Sequence, residues 1–175
     1  DPIDGTQRFI HGQPTFGCLI ALLYEHRPVL GIIDMPALNE RWLGVAGKPS
    51  IHNGDYCQSN NQKHLSEATV FATSIDMFAD IERQQFDRLS TTARFRNFGA
   101  DCYAYGLLAS GHADIVMESD MSIYDFLALV PVIEGSGGCI SDWHGKPLND
   151  LSGRQVLATA NPTLHEQCLA MIRTG

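Results

Sequence analysis

The hexapeptide Asp1-Pro2-Ile3-Asp4-Gly5-Thr6 concentrates residue types that bind metal and phosphate. Asp1 and Asp4 offer hard carboxylate oxygens, which Mg²⁺ takes together with waters and substrate phosphate. Pro2 stiffens the turn between them, and Ile3 can direct its carbonyl oxygen to a metal. Gly5 permits close backbone approach, and the Thr6 hydroxyl can position a water. A helix starting here would aim free N–H groups at a phosphate. Taken alone, two aspartates at this spacing also describe an ordinary solvated turn. A third acid, Asp125, stands at the start of the apolar run YDFLALVPVIEGSGG, just after a strand and a loop. It can cap that helix, or face a cleft at the carboxyl end of the strand, where α/β proteins bind ligands. Glu118 ends the preceding segment ADIVME. Spacing leaves both readings of Asp125 open.

The elements that would carry these residues are legible from pattern. TFGCLIALLYEHRPVLGIIDMP reads as two apolar strands, Phe16–Tyr24 and Pro28–Met35, around the polar turn EHR. A further strand lies near Arg41–Ala46, followed by Gly/Asn turns, so this part is expected to form an antiparallel meander. The polar stretch NNQKHLSEA is a candidate boundary between an N-terminal α+β domain, 1–66, and a C-terminal α/β domain, 67–175. Strand-like TVFAT precedes a segment with helical spacing at Met77, Ile81, Phe86 and Leu89, with Asp76 as candidate cap. ARFRNF, ADIVME, CISDW and QVLATA read as strands. DCYAYGLLASG reads as a helix stopped by Gly111, YDFLALVPVIEGSGG as one stopped by glycines, and PTLHEQCLAMIRT as a closing helix begun by Pro162. Alternation of this kind predicts a mixed α/β architecture.

Composition limits the function classes. The 175 residues suit one domain or parts of two, and 44% apolar content is enough for a packed core. A net charge of -8 excludes a general nucleic-acid binder, which needs a basic face. No apolar run approaches the roughly 18 residues of a membrane span, so no membrane partner is expected. The five cysteines are odd in number and show no C-x-x-C spacing, which favours buried thiols in a reduced, cytoplasmic protein over a zinc site or disulfide framework. The seven histidines are scattered, mostly through turns and polar segments, and Trp42 and Trp143 read as packing residues.

Together, DPIDGT and the segment Tyr124-Asp125-Phe126-Leu127-Ala128, with Gly137-Gly138 closing its helix, resemble the inositol monophosphatase family of Mg²⁺-dependent phosphatases. The first motif is complete. The second departs from the family by Tyr124 in place of Trp and by the bulky Phe126-Leu127. The resemblance implies a layered αβαβα fold, homodimers, and a site in which Asp1, Asp4, Asp125 and the Ile3 carbonyl hold two or three Mg²⁺ ions. It gives Asp4 and Thr6 catalytic roles, with Thr6 orienting a water beside an upstream glutamate, and makes Gly5 and Thr6 the phosphate cradle. That glutamate belongs to a motif preceding the hexapeptide. The chain is therefore read as N-terminally truncated, with little turnover expected from it alone.

The ester is expected to be L-histidinol phosphate, a small phosphorylated metabolite. GADCYAYG and the segments ATSIDMF and ALVPVIEGSGG resemble the histidinol-phosphatase branch. Asp101 and Glu118 would set two carboxylates beside the leaving group, which favours an ammonium over a neutral polyol. Arg96 either binds a surface acid, binds substrate or orients Asp101. Asp101 has an alternative as a helix cap, and Thr73 and Ser74 are expected as a cap more than as substrate contacts. The alternatives are inositol monophosphate or a related sugar or nucleotide phosphate, and an inactive scaffold.

Overall fold

A computed structural model describes residues 1–173. The chain opens with a short helix, α1 (Thr6–Ile10), and then forms the expected meander from β1 (Cys18–Tyr24), β2 (Arg27–Met35) and β3 (Glu40–Val45). The β1–β2 turn is a two-residue hairpin in which Glu25 and His26 both take positive φ, 47° and 67°. The Gly/Asn turns contain two further strands, β4 (Ile51–His52) and β5 (Asp55–Tyr56), around Asn53-Gly54. At two residues each they are too short to leave a pattern. The five strands pair in chain order, all antiparallel.

A second sheet is built from β6 (Thr69–Ala72), β7 (Phe95–Phe98), β8 (Ile115–Glu118), β9 (Cys139–Ser141) and β10 (Val156–Thr159), in the order β7-β6-β8-β10-β9. β6 runs parallel to β7 and β8, while β10 pairs antiparallel with β8 and β9. Its helices are α2 (Asp80–Thr92), α3 (Tyr103–Ala109), α4 (Ile123–Phe126), α5 (Leu129–Gly135) and α6 (Pro162–Arg173). Thr174 of the expected closing helix lies outside the described residues. The start of α2 differs from expectation. Ser74 Oγ accepts the Asp76 N–H within a separate 3₁₀ turn, Ile75–Met77, and the helix proper begins after Ala79, whose N–H donates to Glu82. Asp76 is therefore not its cap.

The layers stack as sheet, helices, sheet, helices. Strand alternation assigns the two faces of β8: Ile115 and Met117 join Phe86 and Leu89 of α2 and Leu164 and Cys168 of α6, whereas Val116 joins Leu108 of α3, Ile133 of α5 and Ile33 of β2. The second of these cores links both sheets. Glu118, two residues beyond Val116, points the same way, toward α3, at the carboxyl end of its strand. Trp42 and Trp143 are core residues, each about 1% exposed, as their packing role requires. His165 is a core residue too; its ring nitrogens lie 2.8 Å from Ser141 Oγ and 3.0 Å from Thr159 Oγ1, and burial pushes its pKa down to about 4.

The run expected as one helix at 124–138 is interrupted between α4 and α5. Leu127 and Ala128 keep helical torsions, but Pro131 has no N–H to give the Leu127 carbonyl. This segment lies directly on the first sheet because β2 and β3 carry glycine beneath it. A Cβ on Gly31 would fall 1.9 Å from the Ala128 carbonyl oxygen, and one on Gly44 would fall 2.3 Å from the Pro131 carbonyl carbon. Gly31→Ala is expected to destabilise the fold by about 3 kcal/mol or more. Gly153→Ala, where a Cβ meets nothing within 4 Å, should shift stability by less than about 0.5 kcal/mol. Urea midpoints of the two variants check this, and equal midpoints would refute the close-packing account.

Candidate active site

The hexapeptide is fastened to the first sheet before any side chain acts. Asp4 and Gly17 exchange both backbone hydrogen bonds, at 2.8 and 3.0 Å, and the Leu19 N–H donates to the Asp1 carbonyl at 2.8 Å. Gly5 takes the left-handed conformation, φ 75°, and its neighbour Thr15 would crowd a Cβ at 3.1 Å. That turn starts α1, so the first N–H groups of the helix have no partner within it. Thr6 is exposed at its head, and Ile3 is exposed in the loop.

Each acid of the expected metal set accepts a backbone N–H on its carboxylate. Asp1 Oδ1 accepts the Ile3 N–H at 2.9 Å, Asp4 Oδ2 accepts the Cys102 N–H at 2.8 Å, and Asp125 Oδ2 accepts the Ser122 N–H at 2.8 Å. Asp125 is thus both things its position allowed, a partner in the Ser122 capping box and a member of the cluster. Its three acids offer oxygen atoms that all lie within 4.8 Å of one another. Burial raises the pKa of Asp4, with Cys102 opposing and the charges of Asp101 and Asp125 adding to the rise. Burial raises Asp125 as well. An all-oxygen donor set of gathered carboxylates fits a hard divalent cation. It does not suit zinc, and among the described residues no group of three or more His, Cys, Asp or Glu with metal-ligand spacing occurs elsewhere.

Beside the cluster is a cavity of about 140 Å³ lined by Asp4, Asp101, Asp125, Glu118, Thr73 and Tyr105, among others. Glu118 is 2% exposed. Its Oε1 accepts the Thr73 N–H at 2.9 Å and the Thr73 hydroxyl at 2.5 Å, and its Oε2 accepts the Tyr105 hydroxyl at 2.8 Å. Burial pushes its pKa up to about 7 against the pull of these donors. Asp101 reaches the cavity through a left-handed backbone conformation, φ 48°, an uncommon state for a residue with a side chain. The Arg8 Nε donates to its Oδ2 at 2.9 Å, and Arg8 Nη1 donates to Gln13 at 3.1 Å.

This geometry corrects the substrate-contact reading of Arg96 and decides two alternatives that the sequence left open. Arg96 does not reach the cavity or Asp101; its guanidinium donates to Asp87 at 2.9 Å and lies over Phe86 and Phe98 on the edge strand β7. Asp101 does not cap α3, because Asp4 takes the Cys102 N–H at that helix start. Thr73 does not cap the next turn, which Ser74 does, and is spent on Glu118. Arg8 was missed altogether, since an arginine after a phosphate-loop motif looks like any solvated charge. Tyr105 carried a usable signal: a tyrosine inside an apolar helix needs a partner for its hydroxyl.

The chain belongs to the inositol monophosphatase family, whose sequence profile matches residues 1–174. Among its relatives, the chloroplastic bifunctional phosphatase IMPL2 of Arabidopsis thaliana is 46% identical over 176 residues, covering 97% of this chain and 51% of that protein. A histidinol-phosphatase of Chlorobaculum parvum is 34% identical, covering all of this chain and 67% of its own length. The solved inositol monophosphatase of Zymomonas mobilis superposes with a TM-score of 0.96 at 43% identity, covering 98% of this chain and 68% of that one. The chain thus spans between half and about two thirds of the length of these relatives. Among the described residues no helix is long and apolar enough to cross a membrane.

The buried acid has a stability consequence. In the metal-free protein Glu118 keeps its proton up to about pH 7, whereas an unfolded glutamate loses it near 4.5. Folding is therefore favoured by this group at low pH, and the advantage is lost as pH rises through 7, by about 3 kcal/mol in total. Glu118→Gln keeps an acceptor for Thr73 and removes the charge. It should match the wild type near pH 4.5 and melt higher at pH 8. Coincident melting curves at pH 8 would refute the assignment.

Proposed function

We propose that the protein containing this chain is a Mg²⁺-dependent phosphomonoesterase that hydrolyses L-histidinol phosphate to L-histidinol and phosphate. The observation that carries the reading is the juxtaposition of two carboxylate sets: Asp1, Asp4 and Asp125 gathered for a cation, and Asp101 and Glu118 lining the cavity alongside. When bound, Mg²⁺ supplies charge neutralisation for the phosphate and a water of lowered pKa. Asp1, Asp4, Asp125 and the Ile3 carbonyl would hold two or three such ions. The N–H groups of Gly5 and Thr6, at the start of α1, bind phosphate oxygens, and the Thr6 hydroxyl orients the attacking water toward the phosphorus. Asp101 and Glu118 receive the ammonium of the leaving group, with Arg8 holding one Asp101 oxygen away from it.

The relatives named as histidinol-phosphatases favour this ester. A second reading, hydrolysis of inositol 1-phosphate, draws on the Zymomonas mobilis likeness and on the Arg8 charge, which offsets that of Asp101. A homodimer in a reducing, cytoplasmic setting completes the proposal; all five cysteines are free thiols. Phosphate release by the full-length protein with Mg²⁺ tests the choice. The expected kcat/KM for histidinol phosphate exceeds that for inositol 1-phosphate by about tenfold or more, some 1.4 kcal/mol of discrimination. A preference for the inositol ester would defeat the substrate assignment, and absence of Mg²⁺ binding by calorimetry would favour an inactive scaffold.

A further inference from the structure

We propose that Tyr105 is a positioning and specificity-determining residue: with Thr73 it clamps the Glu118 carboxyl as a fixed acceptor for a cationic leaving group. The inference rests on the cationic-ester reading above and adds to it the residues that make the acceptor work.

A carboxylate that is 2% exposed survives in its charged form only if donors replace water. Here the donors come from two elements. Thr73, just past the carboxyl end of β6, gives both its N–H and its hydroxyl to Oε1, and Tyr105, on α3, gives its hydroxyl to Oε2. β6 and β8 are parallel neighbours, so Thr73 and Glu118 emerge at the same sheet end. The Tyr105 side chain is fully buried, and burial together with the Glu118 charge holds its pKa well above the ordinary tyrosine value. It is therefore a donor throughout the working range. The other polar atom near its oxygen is Met121 Sδ at 3.7 Å, a weak acceptor that cannot replace it.

Three bonds leave a lone-pair direction on Glu118 for the cavity. The charged groups that line the cavity with it, Asp4, Asp101, Asp120 and Asp125, are all acids, so no basic group of the cavity lining competes for that direction. Loss of the Tyr105 hydroxyl strips Oε2 of its donor, so that above pH 7 the carboxyl keeps a proton it would otherwise have released. A neutral carboxyl still pairs with the hydroxyls of a polyol, but it has lost its attraction for an ammonium. Discrimination, rather than phosphate cleavage, is what Tyr105 controls. The three acids of the cation cluster take their anchoring bonds from Ile3, Cys102 and Ser122; the Tyr105 hydroxyl bonds none of these, and its one link to Cys102 is a backbone N–H that phenylalanine keeps.

The test compares histidinol phosphate with inositol 1-phosphate as substrates of the full-length protein with Mg²⁺, in the wild type, Tyr105→Phe, Thr73→Val and Thr73→Ser. In Tyr105→Phe the KM for the cationic ester is expected to rise about tenfold, with kcat and both constants for the inositol ester within about twofold. Thr73→Val should move the same way, and Thr73→Ser should restore the wild-type ratio. A wild type without preference for the cationic ester overturns both this inference and the substrate reading. A wild type with that preference, and an unchanged ratio in both Tyr105→Phe and Thr73→Val, overturns the positioning role alone. An equal fall for both esters also overturns it, since a merely structural defect would act on the two alike.

Discussion

Three carboxylates that reach within 4.8 Å of one another set the problem that the surrounding structure solves. Unscreened by a cation, each such pair repels by on the order of 3 kcal/mol at an effective dielectric of 20. An open loop would relieve this by swinging apart. The chain prevents it with backbone bonds at each acid and with anchors from distant segments. The most consequential is the Cys102 N–H donated to Asp4, which ties the hexapeptide to the start of α3, 98 residues away in sequence. The same short stretch brings Asp101 to the cavity, so the cation cluster and the candidate leaving-group wall share one support.

That support depends on close approach. Gly17 sits where a Cβ would fall 2.6 Å from Cys102 Sγ and 2.7 Å from Met35 Sδ, which brings the hexapeptide down onto α3 and β2. Gly31 and Gly44 do the same for the segment that follows Asp125. Asp125 is then fixed from both sides, by the capping box at Ser122 and by the α4–α5 junction pressed on the sheet. Packing here is a positioning device first. Acids placed by rigid contacts keep their geometry without a cation, which is the condition for binding one without a large ordering penalty.

Much of this was legible in the sequence. Long apolar strands and the alternation after residue 68 pointed to a mixed α/β architecture, and Asp1 and Asp4 stood out by type and spacing; the layered fold and the place of Asp125 beside them came from the family resemblance. What stayed hidden depended on contacts far apart in the chain. Arg96 and Arg8 are indistinguishable as isolated arginines; only the fold shows that the strand edge gives Arg96 to Asp87 while α1 brings Arg8 to Asp101. Local rules failed for Thr73 in a similar way. Capping by its neighbour Ser74 left Thr73 free for an acid 45 residues on. The strands β4 and β5 were lost for another reason, being two residues each and marked only by the turn between them.

Glu118 and Asp101 are both acids at the same cavity, yet the chain treats them in opposite ways. Asp101 has a cation beside it, Arg8, and is partly open to water. Among the described residues Glu118 has no basic partner, and it has almost no exposure and three donors from neutral groups. A buried basic partner would neutralise the carboxylate but would itself be desolvated, whereas neutral donors solvate the charge without cancelling it. A cavity that holds its deepest acid on neutral donors leaves that charge uncompensated by the protein itself. Compensation is then left to whatever enters, and the unmet electrostatic demand is greatest at Glu118, whereas at Asp101 Arg8 already meets part of it.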